Sequence, residues 1–124
     1  MISIVIPTYN SEKSIKKLCE TVINEVKVEF EIILINDAAT DNTEETINKL
    51  QLIYNSIRVM NLDKNIGRVG STLLGINLAK GDFLVTMDDD LQHHPEFINN
   101  LYYEIKKLDL EVKVAKWKQD GTIV

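Results

Sequence analysis

Apolar and polar positions follow two spacings along this chain, and the places where one gives way to the other mark its elements. Residues 2–7 are a near-continuous apolar run, β-branched at most positions. That pattern predicts a strand buried on both faces, as in a parallel sheet. Asn10 and Ser11 then offer N-caps. Apolar residues next recur at Ile15, Leu18, Val22 and Val26, with Ile23 beside them, which is helical spacing. Residues 31–36 read as a second strand. Asp41, with Glu44 three residues later, resembles a capping box, and Ile47, Leu50 and Tyr54 supply the stripe of a second helix. Residues 57–62 read as a third strand. A helix over 69–80 closes at Gly81, a natural C′ residue. Residues 82–87 read as a fourth strand. Pro95 falls where a first helical turn begins, and Phe97, Ile98, Leu101, Ile105 and Leu108 give that helix its apolar face. A fifth strand is expected over 111–115.

Strand and helix thus alternate four times. The pattern predicts an α/β fold, a mainly parallel sheet with flanking helices and right-handed crossovers. No internal repeat, low-complexity tract or linker interrupts it. One domain over 1–124 is expected, incomplete at its C-terminus, because no closing element follows the fifth strand.

Composition narrows the function more than the fold. The net charge of −5 argues against general nucleic-acid binding, which needs a basic face. It is compatible with a phosphate ligand held through a divalent cation, where acidic residues are required. The single cysteine, Cys19, has no partner for an internal disulfide and reads as a small apolar group on a helix face. A reducing cytoplasm is the expected compartment. No apolar run approaches the roughly 20 residues that span a bilayer, and the start lacks the basic residues and cleavage site of a signal peptide.

In open α/β sheets ligands bind beyond the carboxyl ends of the strands. Three unusual segments arrive there: Pro7-Thr8-Tyr9-Asn10, Asn36-Asp37-Ala38-Ala39-Thr40-Asp41, and Asp88-Asp89-Asp90-Leu91-Gln92. Two carboxylates about 4 Å apart repel by roughly 1 kcal/mol in water and by several-fold more in a cleft. A divalent cation reverses that penalty, and Mg²⁺ or Mn²⁺ takes one or two carboxylates plus substrate phosphates. The plainer reading is a solvated acidic turn ahead of the helix near Pro95; placement at the end of a buried strand weighs against it. Asp37 suits a hydrogen bond to a base or ribose, or else caps the following helix, for which Asp41 is the better candidate. In Asn65-Ile66-Gly67-Arg68 the glycine permits positive φ and Arg68 suits phosphate, although a lone loop of this kind is weak evidence. His93-His94 lacks the helical spacing of a metal pair and reads as loop and N-cap. Trp117 with the lysines at 106, 107, 113, 116 and 118 is open to contact with an anionic membrane; a solvated end is the plainer reading.

Ile4-Val5-Ile6-Pro7-Thr8-Tyr9-Asn10, Asn36-Asp37 through Thr40-Asp41, Asn65-Ile66-Gly67-Arg68, Ala79-Lys80-Gly81-Asp82 and Asp88-Asp89-Asp90 resemble, in order and spacing, the successive signatures of family 2 glycosyltransferases of the GT-A fold. The run from Asp88 through Pro95 and Glu96 is similar to the polyprenyl-phosphate sugar transferase branch, the dolichol-phosphate mannose synthase-like enzymes. The resemblance implies that Pro7 and Tyr9 line a nucleobase pocket, that Asp37 bonds base or ribose, and that Arg68 lies near the nucleotide. Asp88 and Asp90 correspond to the family's Asp-x-Asp motif. Asp90 is then the direct metal ligand and Gln92 a second one. Asp88, counted with the metal ligands, would also face ribose or phosphate with Asp89.

Departures from the family pattern bear on this. Ser11 stands where an acidic residue often follows the Tyr-Asn pair. Asn36-Asp37-Ala38-Ala39 replaces the usual Asp-Asp-Gly-Ser, which is expected to loosen the turn and alter ribose contact. No residue matches the family's catalytic base, and Asp109 and Glu111 do not sit in its motif.

The resemblance therefore implies an inverting transferase that uses a UDP- or GDP-sugar with Mg²⁺ or Mn²⁺. The implied acceptor is a lipid phosphate or a saccharide, and the base lies outside this chain. Peripheral association with the inner face of the membrane goes with that acceptor. The rival is a module that binds nucleotide-sugar without transfer. A phosphotransfer domain is disfavoured because Pro7-Thr8-Tyr9-Asn10 holds no nucleophilic aspartate after the first strand. A dinucleotide fold is disfavoured because no Gly-x-Gly-x-x-Gly stands there.

Overall fold

The sheet has four strands, β1 (Ile2–Thr8), β2 (Phe30–Asn36), β3 (Ile57–Asn61) and β4 (Phe83–Thr86). They lie in the order β3-β2-β1-β4 and every pairing is parallel. Helices α1 (Ile15–Glu25), α2 (Thr43–Ile53), α3 (Gly67–Leu78) and α4 (Phe97–Lys106) alternate with them. This computed structural model describes residues 1–90, 95 and 97–108. The expected fifth strand over 111–115 lies outside the described residues.

The apolar runs of β1 and β2 face two separate cores. Ile2, Ile4 and Ile6 point to one side and pack with Ile15, Leu18 and Val22 of α1, Ile47 and Leu50 of α2 and Ile98 of α4. Val5, Ile33 and Ile35 point to the other, against Leu74 and Leu78 of α3. Each such fully buried aliphatic side chain contributes about 1.5–3 kcal/mol. Helix α3 approaches closely because Gly75 has no side chain: a Cβ there would stand 2.3 Å from Val5 Cγ1.

The two cores place the site. From β1 the chain moves outward to β2 and β3 over α1 and α2, then returns over α3 on the opposite face to lay β4 on the far side of β1. The direction of winding therefore reverses between β1 and β4. At such a switch point the loops leaving the two strands diverge and open a crevice.

Several local expectations are corrected. Ser14, not Asn10 or Ser11, is the N-cap of α1, and its side chain makes no capping bond. Asn42 occupies the N-cap of α2, so Asp41 and Glu44 form no capping box; Asp41 instead accepts the N–H of Thr43 at 2.9 Å. Helix α3 begins at Gly67, so Gly67 and Arg68 belong to its first turn, and it ends at Leu78 with Ala79 as C-cap. Gly81 is accordingly not a C′ residue. Its N–H donates to Ser3 Oγ at 2.7 Å, and a Cβ there would meet the Met1 carbonyl at 2.6 Å.

Ser3 belongs to a network at the amino ends of the strands. Buried Glu31 accepts from Ser3 Oγ at 2.6 Å, from Lys80 N–H at 2.7 Å and from Arg58 at 2.8 Å. Burial pushes the Glu31 carboxyl upward. The Ser3 hydroxyl, the Lys80 N–H and the Arg58 guanidinium together outweigh it and hold the group below the usual glutamate value. The network ties the end of α3 to the sheet at the edge opposite the crevice.

Candidate functional site at the carboxyl edge of the sheet

Three loops meet over the carboxyl ends of β1, β2 and β4, and their polar side chains stitch them together. Asn10, at φ 49°, is a residue type that tolerates the left-handed region. Its Oδ1 accepts the N–H of Thr40 at 2.8 Å and of Asp41 at 3.3 Å, which joins the loop after β1 to the loop after β2. Ser11 N–H donates to Thr43 Oγ1 at 2.8 Å. On the other side, Tyr9 N–H donates to Asp89 Oδ2 at 3.1 Å and Ser14 Oγ donates to the Asp89 carbonyl at 2.6 Å.

Asp37 is buried, 4% exposed. Its two carboxylate oxygens accept the N–H of Ile66 at 2.7 Å and of Gly67 at 3.0 Å, and its carbonyl accepts from Asn65 Nδ2 at 3.1 Å. Gly67 has φ +85°, a left-handed conformation that only glycine adopts without strain. The turn after Asp37 is held rather than loosened. Asn36 Oδ1 accepts Ala39 N–H at 3.0 Å, and Ala38 takes φ 58° to make the bend.

A cavity of about 280 Å³ opens between these loops, and Pro7, Tyr9, Asp37, Asn65, Arg68 and Asp89 are among its lining residues. A second space of about 280 Å³ adjoins it, lined in part by Val69, Leu73, Thr86 and Met87. Pro7 and Arg68 belong to both. Five of the expected site residues are thus brought together from the ends of β1, β2 and β4 and the start of α3.

The acidic triplet divides its work. Asp88 is ion-paired with the Arg68 guanidinium. A cation therefore does stand beside the triplet, supplied by α3 and invisible in the local sequence. Asp89 faces β1 through Tyr9, and Asp90 is exposed. Gln92, His93 and His94 lie outside the described residues, as do Asp109, Glu111, Trp117 and the lysines at 113, 116 and 118. Among the described residues no group of three or more His, Cys, Asp or Glu converges to hold a metal. Asp88 and Asp90 are carboxylates of the kind that take Mg²⁺ or Mn²⁺ together with substrate phosphate, and they fit such an ion.

Sequence reasoning missed Ser14 and the bridging roles of Asn10 and Asn65. All three are short polar residues in loops, and only the partner across space tells a linker from a solvated turn. Cys19 is buried, and burial, with Glu20 beside it, pushes its thiol up to about 12; it is packing, not a nucleophile. Among the described residues no helix is long and apolar enough to cross a membrane.

Comparison with known proteins agrees with this geometry. The family model described as Glycosyl transferase family 2 matches residues 3–121. The chain is 36% identical over 104 residues to an undecaprenyl-phosphate 4-deoxy-4-formamido-L-arabinose transferase of Proteus mirabilis, covering 81% of this chain and 32% of that protein. It is 34% identical over 106 residues to a dolichol-phosphate mannosyltransferase of Pyrococcus furiosus, covering 85% of this chain and 30% of that one. The chain thus spans about a third of the length of these relatives. Its fold superposes on S. aureus TarS 1-349 in complex with UDP-GlcNAc with TM-score 0.64 and 27% identity, over 82% of this chain and 32% of that one. It superposes on the mannosyltransferase PcManGT of Pyrobaculum calidifontis, in complex with GDP-Man and Mn²⁺, with TM-score 0.72 and 19% identity, over 82% of this chain and 31% of that one. The fold is that of the GT-A glycosyltransferases, and the chain belongs to glycosyl transferase family 2.

Proposed function

We propose that this chain is the donor-binding portion of a glycosyltransferase that takes a UDP- or GDP-sugar with Mg²⁺ or Mn²⁺ and transfers the sugar to a polyprenyl phosphate or a growing saccharide. The observation that carries this reading is the cavity at the β1/β4 switch point, where Pro7, Tyr9, Asp37, Arg68 and Asp89 meet. The base stacks near Pro7 and Tyr9. Each oxygen of Asp37 has a lone pair beyond the one used on Ile66 or Gly67, so it accepts from the base or ribose. Arg68 meets the diphosphate, for which its planar fork is suited. Asp88 and Asp90, with Gln92, hold the metal, and Asp89 keeps their strand end against β1. The metal, when bound, neutralises the charge of the leaving diphosphate. Support for the donor class comes from the UDP-GlcNAc of TarS and the GDP-Man and Mn²⁺ of PcManGT. The undecaprenyl-phosphate and dolichol-phosphate relatives support the acceptor class. With such an acceptor the protein works on the cytoplasmic side, docked peripherally at the membrane, in assembly of cell-envelope polysaccharide.

The alternative is a nucleotide-sugar binding module without transfer. The cavity by itself carries donor-binding groups and fits this reading as well. General-base assistance is worth about 10²–10⁴-fold in rate, so turnover is the quantity that separates the two readings. The test is a thermal-shift screen of UDP, GDP, CDP and dTDP with and without Mn²⁺. A ligand at 100 times its dissociation constant adds about 2.7 kcal/mol of stability. A shift for one nucleotide that needs Mn²⁺ is expected; no shift with any of the four overturns the proposal. Release of nucleotide diphosphate from nucleotide-sugars, with and without lipid-phosphate acceptor, then separates transferase from module.

A further inference from the structure

Arg68 occupies an unusual position. It stands in the first turn of α3, lines both adjoining cavities, and reaches across to form an ion pair with Asp88 at the end of β4. Its side chain is 67% exposed and that of Asp88 26% exposed. The Arg68 guanidinium thus borders both spaces and is itself open to water and salt, while the Asp88 Oδ1 that it meets is buried. The contrast with the other edge of the sheet is on the cation's side: Arg58, paired with Glu31, is 37% exposed, so Arg68 is the freer of the two to leave its carboxylate.

We propose that Arg68 is a placeholder for the divalent cation: it neutralises Asp88 while the donor is absent, yields that carboxylate to the metal when the donor arrives, and turns to the donor's diphosphate. This rests on the reading of Asp88 as a metal-facing carboxylate. The charges drive the exchange. Asp88 beside a lone cation-free site carries an uncompensated charge next to Asp89 and Asp90, and Arg68 offsets it. A divalent ion brings twice the charge of a guanidinium to the same oxygen. The diphosphate at the same time offers Arg68 a better partner than a single carboxylate, two phosphoryl groups that its fork engages in parallel. Each step is weaker alone: metal without diphosphate must displace Arg68, and diphosphate without metal meets the acidic triplet. Metal and nucleotide therefore bind cooperatively. The coupling is reciprocal, as any linkage must be.

One substitution separates this from a merely structural role, because it has opposite effects on the two ligands. In Arg68→Gln the carboxylate is released, so Mn²⁺ alone, titrated by the EPR signal of free ion, binds about two- to fivefold more tightly, the worth of an exposed ion pair. UDP or GDP with saturating Mn²⁺ binds about tenfold more weakly, for want of a charged hydrogen bond. Arg68→Lys, which keeps the charge, holds Mn²⁺ affinity near that of the wild type. The parallel variant Asp88→Asn shows where a failure lies. If Asp88→Asn weakens Mn²⁺ while Arg68→Gln leaves it unchanged, the metal reading stands and the exchange is overturned. If neither variant alters Mn²⁺ binding, the metal reading falls and the exchange with it. Circular dichroism of each variant checks that the fold is kept, and the exposure of Arg68 makes its loss tolerable.

Discussion

The carboxylate of Asp37 accepts the backbone N–H of Gly67 across the crevice at 3.0 Å, while its other oxygen takes the N–H of Ile66. An acidic residue at the end of β2 thereby closes the N-terminus of α3. The first turn of that helix is where Arg68 stands, so the residue expected to recognise the nucleoside also sets the residue expected to meet the diphosphate. The charge is favourably placed at the positive end of the helix dipole.

Replacing Asp37 therefore has two consequences. Asp37→Ala leaves two N–H groups without their acceptor and is expected to lower stability by about 1–2 kcal/mol, as loss of a helix cap does. It is also expected to weaken nucleotide binding by about 1–3 kcal/mol. Urea unfolding without ligand reads the first and a nucleotide titration the second. Unchanged stability refutes the capping role; loss of metal binding with base discrimination intact means the ligand lies the other way round.

Ala38 carries strain that glycine would relieve. Its φ of 58° costs a non-glycine residue about 1–2 kcal/mol, against which glycine forfeits about 0.5–1 kcal/mol of chain entropy. Ala38→Gly is expected to stabilise the protein by about 0.5–1 kcal/mol, a rise of roughly 2–5 °C in Tm. Calorimetry decides it, and a lower Tm would mean the turn is not strained.

Asp90 carries the metal-dependent part of binding in the proposed function. Asp90→Ala is expected to remove the gain in nucleotide affinity that Mn²⁺ provides, with little change in stability because the residue is exposed. Isothermal titration with Mn²⁺ and with excess chelator makes the comparison. A variant that still gains as much from Mn²⁺ as the wild type does excludes Asp90 as a ligand.

Glu31 gives the fold a pH dependence of known sign. Its folded carboxyl lies below the usual value, so its contribution is fully present above the unfolded glutamate value of about 4.3 and is lost as the pH falls through the folded value. Glu31→Gln should destabilise the protein by about 2 kcal/mol at neutral pH, the worth of its charged hydrogen bonds. The gap to wild type should narrow as the pH is lowered below about 4. Urea denaturation across that range measures it, and a gap that stays constant would show that the charge of Glu31 contributes nothing.

Local pattern alone determined the alternation of four strands and four helices, because burial on two faces demands continuous apolar runs in β1 and β2 and a single apolar stripe on each helix. The runs at Ile2–Thr8 and Phe30–Asn36 and the stripe through Ile15, Leu18 and Val22 are where that signal was strongest. Asp37 and the Asp88–Asp90 triplet stood out by their place at strand ends, whereas Pro7, Tyr9 and Arg68 were nominated through the family resemblance; the structure sets Pro7, Tyr9, Asp37, Arg68 and Asp89 around one cavity. Helix ends were not legible. Ser11, Asp41 and Gly81 all have the chemistry of caps, yet Ser11 stands ahead of the cap position with its N–H given to Thr43, Asp41 stands one residue before the cap and accepts from Thr43 and Glu12, and the N–H of Gly81 is taken by Ser3. Only the tertiary structure decided that α3 crosses to the opposite face, that β4 therefore lies beside β1, and that Arg68 stands against Asp88. Those facts depend on which elements pack together, and a hydrophobic pattern states that a face is buried without stating against what.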